Sequence, residues 1–171
     1  MEKRYFLVSL LLTFSFFTTM AQQGPQSAIN PGSRAKAAIQ FAKVLNDAAS
    51  VYPPQLSYLT EAGARIESSF RVSEDGMLSV TFRYPVETSF TLYRLIAPVS
   101  AIKGVFYDEY IGLEFEGNVV KVAESEKGSR ELVENNMLSL MHIAKPGEGP
   151  AGERLKVKME QALQAFRESY K

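Results

Sequence analysis

Apolar and polar positions along the chain fall into two periods. In AKAAIQFAKVLNDAAS, residues 35–50, Ala38, Phe41, Ala42, Leu45, Ala48 and Ala49 recur at helical spacing and share one face. Ser33 stands where a helix N-cap would accept backbone hydrogen bonds, and Pro53 and Pro54 end the helical pattern. From Arg65 the period drops to two: Ile66, Phe70 and Val72 alternate with Glu67, Ser69 and Arg71. After Glu74-Asp75-Gly76, Leu78, Val80, Phe82 and Tyr84 alternate with Ser79, Thr81 and Arg83. A three-residue loop ending in glycine suits a hairpin, since glycine accepts positive φ. The register it implies sets Val72 opposite Leu78, Phe70 opposite Val80 and Glu67 opposite Arg83.

A second hairpin is predicted in IGLEFEGNVVKV, where Gly117-Asn118 is a two-residue turn signal. It would pair Phe115 with Val120, Leu113 with Val122 and Glu114 with Lys121. Residues 90–96 and 102–107 are further strands, the latter pairing with 111–115 around Asp108-Glu109. The stretch 125–136 is polar, and 137–143 is expected as the last strand. The chain closes on a helix in which Leu155, Met159, Ala162, Leu163, Phe166 and Tyr170 form one stripe, with Glu153, Lys156, Glu160, Gln164, Arg167 and Glu168 elsewhere. Such a helix is marginal alone and has to lay its stripe on the sheet.

The fold class predicted is therefore α+β: an antiparallel β-meander or partly open barrel of about seven strands, packed by a C-terminal amphipathic helix, with an extra N-terminal helix. This element order, with the stretches VSAIKGVFYDEYIGLEFEGNVVKV and ERLKVKMEQALQAF, resembles the pleckstrin-homology-like superfold over residues 64–171. The resemblance implies a binding scaffold. It does not imply a phosphoinositide ligand, because the first hairpin loop carries Glu74 and Asp75 where lipid-binding members carry a basic loop.

The N-terminus changes the setting. Lys3 and Arg4 precede the apolar run YFLVSLLLTFSFF, and Thr19-Met20-Ala21 follows it. That pattern predicts a signal peptide over residues 1–21. This run of 13 residues falls short of the roughly 20 that span a bilayer. Residues 22–33, QQGPQSAINPGS, read as a flexible lead-in, and 34–171 as a single α+β domain. The expected location is exported, periplasmic or extracellular, in a bacterial envelope, with no transmembrane span in the mature chain.

The 150 residues after Ala21 carry 17 Lys+Arg (19 less Lys3 and Arg4) and 18 Asp+Glu (19 less Glu2), a formal charge of −1. A basic excess suited to nucleic acid is lacking, so no nucleic-acid partner is expected. The chain has no cysteine, which removes thiol catalysis and thiolate metal sites.

Each candidate motif lacks its partners. GEGPAG, residues 147–152, matches G-x-G-x-x-G. A dinucleotide site would need a second parallel strand and an acidic residue about 20 positions on, and the sequence ends at Lys171. Glu148 and Glu153 would also oppose a pyrophosphate, so a Pro/Gly connector that starts the last helix explains the stretch better. Ser33-Lys36 and Ser100-Lys103 match Ser-x-x-Lys without the companion motifs of penicillin-recognising enzymes. His142 is the only histidine and has no G-x-S-x-G elbow with it. Asp108, Glu109, Glu114 and Glu116 concentrate carboxylates, and Glu114 and Glu116 share a face about 7 Å apart. The nearer explanation is a polar strand face on which Glu114 meets Lys121 or Lys103. Phe106, Tyr107 and Tyr110, at a hairpin end, are the binding residues expected, since exposed aromatics at loop tips mark interfaces.

The expected function is an exported, non-enzymatic binding module for an unknown protein or small envelope ligand, with no cofactor, metal or catalytic residue. The alternatives are a small secreted hydrolase using the strand carboxylates, and a carrier of an apolar small ligand. The hydrolase requires a cleft where those carboxylates converge. The carrier requires a cavity of several hundred Å³ between the C-terminal helix and the sheet.

Overall fold

The computed structural model describes residues 31–56 and 62–169. The expected signal peptide, the first part of the lead-in (22–30) and Tyr170 lie outside the described residues. Helix α1, Pro31–Val51, opens the fold, and helix α2, Pro150–Glu168, closes it. Between them run β1 (Arg65–Val72), β2 (Met77–Val86), β3 (Ser89–Pro98), β4 (Ile102–Tyr107), β5 (Ile111–Phe115), β6 (Val120–Ser125), β7 (Leu132–Leu138) and β8 (Leu140–Ala144). The fold is α+β, and its antiparallel strands form two sheets that do not close into a barrel. One sheet has the order β1-β2-β3-β6-β7, the other β4-β5-β8.

Helix α1 buries the predicted face, Ala38, Phe41, Ala42, Leu45, Ala48 and Ala49, and adds Val44. It ends at Val51; the Tyr52 N–H makes the last bond of the helical pattern, to the Ala48 carbonyl at 2.9 Å, and Pro53 and Pro54 have no N–H to continue it. Its start lies earlier than expected. Pro31 is already helical, so Ser33 sits inside the first turn and is no cap. Proline suits a first helical position because its missing N–H would have no partner there. Helix α2 seals the core through Met159, Leu163 and Phe166, with Leu155 and Ala162 partly buried. Phe166 stacks on Phe41 of α1, centroids 5.3 Å apart, which joins the two helices. No helix among the described residues is long and apolar enough to cross a membrane.

The strands correct four readings. In the first hairpin Val72 faces Leu78 as expected. Bulges then shift the ladder, so that Ile66 faces Phe82 and Arg65, not Glu67, faces Arg83. Glu67 still reaches Arg83 at 3.7 Å. The predicted β5–β6 hairpin does not exist. Both edges of β5 are taken, Leu113 facing Val105 on β4 and Met141 on β8, while β6 pairs with β3 and β7. Gly117, at φ 76°, does turn the chain, but into the other sheet. Lys121 therefore pairs with Glu134 at 3.4 Å and Glu114 with Lys103 at 2.7 Å. The polar stretch 125–136 contains much of β7, an eighth strand, whose side chains stay largely exposed because it is an edge. The single strand expected at 137–143 breaks at Ser139, where the chain again crosses between sheets.

Candidate functional site

The sequence-selected aromatics diverge. Tyr107 faces the C-terminal connector, and its hydroxyl donates to the carbonyls of Gly147 (2.8 Å) and Gly149 (3.1 Å). Gly152 lies against the same ring, and any Cβ there would overlap the phenol. The spacing of GEGPAG has a structural origin. Gly147 and Gly149 take positive φ (73° and 114°), and Gly152 makes room for a tyrosine.

Phe106 turns to the outer face of the three-stranded sheet. Gly112 faces Phe106 on one side and His142 on the other. The two rings meet over the glycine, centroids 5.4 Å apart. Tyr110 stacks on His142 at 5.1 Å, and the Lys145 ammonium lies 5.0 Å from the Tyr110 ring. Phe106, His142 and Tyr110 are thus a half-buried stack that fills the space left by Gly112. Burial pushes the His142 pKa below its usual 6.5, and the nearby Asp108 carboxylate offsets part of that.

The carboxylates do not converge. Asp108 accepts from the Tyr110 backbone N–H at 2.7 Å and shapes the turn. Glu109 is ion-paired at 2.9 Å with Lys145, which also donates to Gln55 Oε1 at 2.9 Å. Hydrogen bonding to that carboxylate and to the Tyr110 side chain holds the Lys145 pKa above its usual value. Glu114 bonds Lys103 and raises its pKa, and Glu116 is exposed at the end of β5. Ser100 lies in the short 3-10 turn Val99–Ala101, and Lys103, three residues on, is turned to Glu114. Ser33 and Lys36 are exposed on α1. Among the described residues no group of three His, Cys, Asp or Glu is placed to hold a metal.

A concave surface lies elsewhere. A groove of about 780 Å³ runs between α1 and β1, lined by Ala35, Ala38, Ile39, Ala42, Phe70 and Val72. Arg34, Lys43, Asn46, Arg71, Ser73 and Glu74 complete it. A smaller hollow of about 480 Å³ beside α2 has a polar set, Glu160, Gln164, Arg167 and Glu168, around Val105 and Leu163. The larger space is therefore at the N-terminal helix, not under the C-terminal one.

Asn46 fixes the groove's inner end. Its amide donates to the Phe70 carbonyl (3.1 Å) and accepts from the Phe70 N–H (2.8 Å), as a neighbouring strand would. The outer end is set by the first hairpin. Ser73 Oγ accepts from the Met77 N–H at 3.1 Å and bonds Asp75, and the Ser73 N–H donates to the Met77 carbonyl at 3.0 Å. Because Phe70 points to α1 and Ser73 to β2, alternation directs the Val72 N–H and C=O to the groove side. Ile39, 70% exposed, stands on its helical wall. Sequence reasoning missed this site because the Asn46–Phe70 clamp spans 24 residues and has no local signal. The small residues Ala35, Ala38 and Ala42 on one helix side were the available hint, since they leave space beside a strand.

The chain matches no protein-family model, no curated protein and no solved structure.

Proposed function

We propose that this chain is an exported, non-enzymatic binding module whose contact surface is the groove between α1 and β1. The observation that carries the reading is the groove itself: an apolar concavity of about 780 Å³ with a few polar groups at its rim, the usual form of a ligand site. The pleckstrin-homology-like scaffold that the element order resembles is consistent with binding. A hydrolase using Glu114, Glu116 or His142 has less support. Glu114 is bound to Lys103 on a strand face, and His142 lies between two aromatic rings. Export draws on the leader pattern of residues 1–21.

The test is native mass spectrometry of the full chain recovered from cell envelope or medium, alongside Ile39→Glu. Ile39 is exposed, so the variant should fold, as circular dichroism would verify. A mature species beginning at Gln22 with a ligand or partner that Ile39→Glu lacks is the expected result. A bound species retained in full by the variant would remove the groove from the proposal. A second reading places contact on Phe106 and Tyr110, favoured by their half-exposure on the outer sheet face. A bound species lost from a Phe106→Ala/Tyr110→Ala double variant and retained by Ile39→Glu would select it.

A further inference from the structure

Resting on the groove reading above, we infer that the occupant is an extended, acidic segment of a partner protein that adds alongside β1 at Val72. Three features select this chemistry. The first is the strand edge. Asn46 occupies the backbone groups of Phe70, and alternation turns those of Val72 to the same side, outward into the groove. A donor and an acceptor spaced along a strand are met by another extended backbone. A helix has no such groups to spare, its own being bonded internally.

The second feature is size. The lining runs from Arg34 to Asn46 on α1, about 18 Å of helix. On β1 it runs from Phe70 to Val72, about 7 Å of strand, and continues through Ser73 to Glu74 in the hairpin turn. Four to six extended residues fit that length. Ala35, Ala38 and Ala42 allow close approach on the helical side, and Ile39 and Val72 offer apolar contacts for alternate side chains.

The third feature is charge. Arg34, Lys43 and Arg71 line the groove, Glu74 is the one carboxylate in the lining, and Asp47 is ion-paired to Lys43, which leaves one positive charge in excess. Lys43 bonds Asp47 at 2.7 Å and Arg71 Nε donates to Ser79 Oγ at 3.3 Å, which uses one donor of each. An ammonium has three donors and a guanidinium five, so each retains donors for a carboxylate. The ligand face of the segment is thus apolar residues alternating with Asp or Glu.

The experiment is a random heptapeptide display selection on the full chain, counter-selected on Ile39→Glu and Arg71→Glu. Both side chains are exposed, so the variants should fold. Expected are sequences that alternate Asp or Glu with Val, Ile or Phe. A synthetic consensus peptide should shift the Val72 amide resonance, weaken with added salt, and bind Arg71→Glu about tenfold less tightly. Basic or helix-forming peptides that bind in the groove would overturn the acidic-strand inference and leave the groove as a binding site. Peptides that bind both variants undiminished would overturn the inference and the groove reading together. No enrichment, or saturable binding of laurate that shifts Val72, would overturn the inference, and the Ile39→Glu mass-spectrometry result would then decide the groove reading by itself.

Discussion

Gly152→Ala separates two accounts of the GEGPAG stretch. In an ordinary helix the exchange stabilises by about 0.5–1 kcal/mol, because alanine restricts the unfolded chain. Gly152 lies in the first turns of α2 and is buried. A methyl there overlaps the Tyr107 ring. The ring cannot move aside freely, since its hydroxyl holds Gly147 and Gly149 at 2.8 and 3.1 Å. Overpacking costs about 1–3 kcal/mol, and each lost hydrogen bond about 1 kcal/mol. The net expectation is a loss of about 1–3 kcal/mol and a fall in Tm of several degrees. In a Tyr107→Ala background the obstacle is gone, and Gly152→Ala should then stabilise by about 0.5–1 kcal/mol. Urea unfolding of the four proteins gives the coupling, expected at about 1.5–4 kcal/mol. A Gly152→Ala protein as stable as the parent, or an effect of the same size in both backgrounds, would refute the assignment of Gly152 to Tyr107.

Three further outcomes follow from other contacts. Asn46→Ala should cost about 1–3 kcal/mol, because it strips both partners from the Phe70 peptide. Hydrogen exchange at the Phe70 amide should accelerate ahead of its neighbours, and unchanged protection there would contradict the clamp. Phe166→Ala should cost about 3–5 kcal/mol in urea unfolding, since it empties a buried ring site stacked on Phe41. His142 should make the fold less stable in mild acid. Its folded pKa is lowered, so below the unfolded value of 6.5 the unfolded chain takes up a proton that the fold resists. The stability contribution is full above 6.5 and declines as pH falls through that value toward the folded one. His142→Gln should flatten this slope, and an NMR midpoint at or above 6.5 for His142 would contradict it.

The helices and the α+β class were legible because their signals are local. One buried stripe per helix, with prolines after Val51, is enough to place α1 and α2. The tip of the first hairpin was legible for the same reason, as Glu74-Asp75-Gly76 sets Val72 opposite Leu78. The error at Gly117-Asn118 is instructive. A turn signal specifies that the chain reverses, and says nothing of which strand lies beside it afterwards. Leu113 could pair plausibly with Val122 or Met141, both buried apolar residues. The choice was made by β4 and β8 together, which leave β5 no free edge. β7 was invisible because an edge strand need not alternate, and LVENNML has exposed residues at five of its seven positions. The aromatics at the β4–β5 end were found as a group, but their division between Gly152 and Gly112 depends on contacts some 40 and 30 residues away that no spacing rule predicts.

How each sheet edge is closed indicates where another chain can add. An open edge invites pairing, so native sheets blunt theirs. On β4, Arg167 of α2 donates to the carbonyls of Ile102 and Lys103. Just past the end of β8, the Lys145 N–H bonds the Tyr52 carbonyl. On β7, Asn135 is skipped in the register with β6, because Val122 faces Asn136 and Ala123 faces Glu134; its side chain reaches Glu124 of β6 at 3.4 Å, and this bulge bends the edge. Asn136 also takes the Met137 N–H with its own side chain at 2.8 Å. On β1, Asn46 clamps Phe70, and among the described residues no side chain does the same two residues on, where Val72 faces the groove. If the Val72 edge had only to be protected, a longer polar side chain at position 39 or 42 of α1 would do for it what Asn46 does for Phe70. The chain has Ile39 and Ala42 there instead, which keep that stretch of strand apolar-walled and accessible. Ala42→Asn should therefore weaken an added segment while leaving the Asn46 clamp intact. Equal binding by Ala42→Asn and the parent would mean that the Val72 edge is not where the partner pairs.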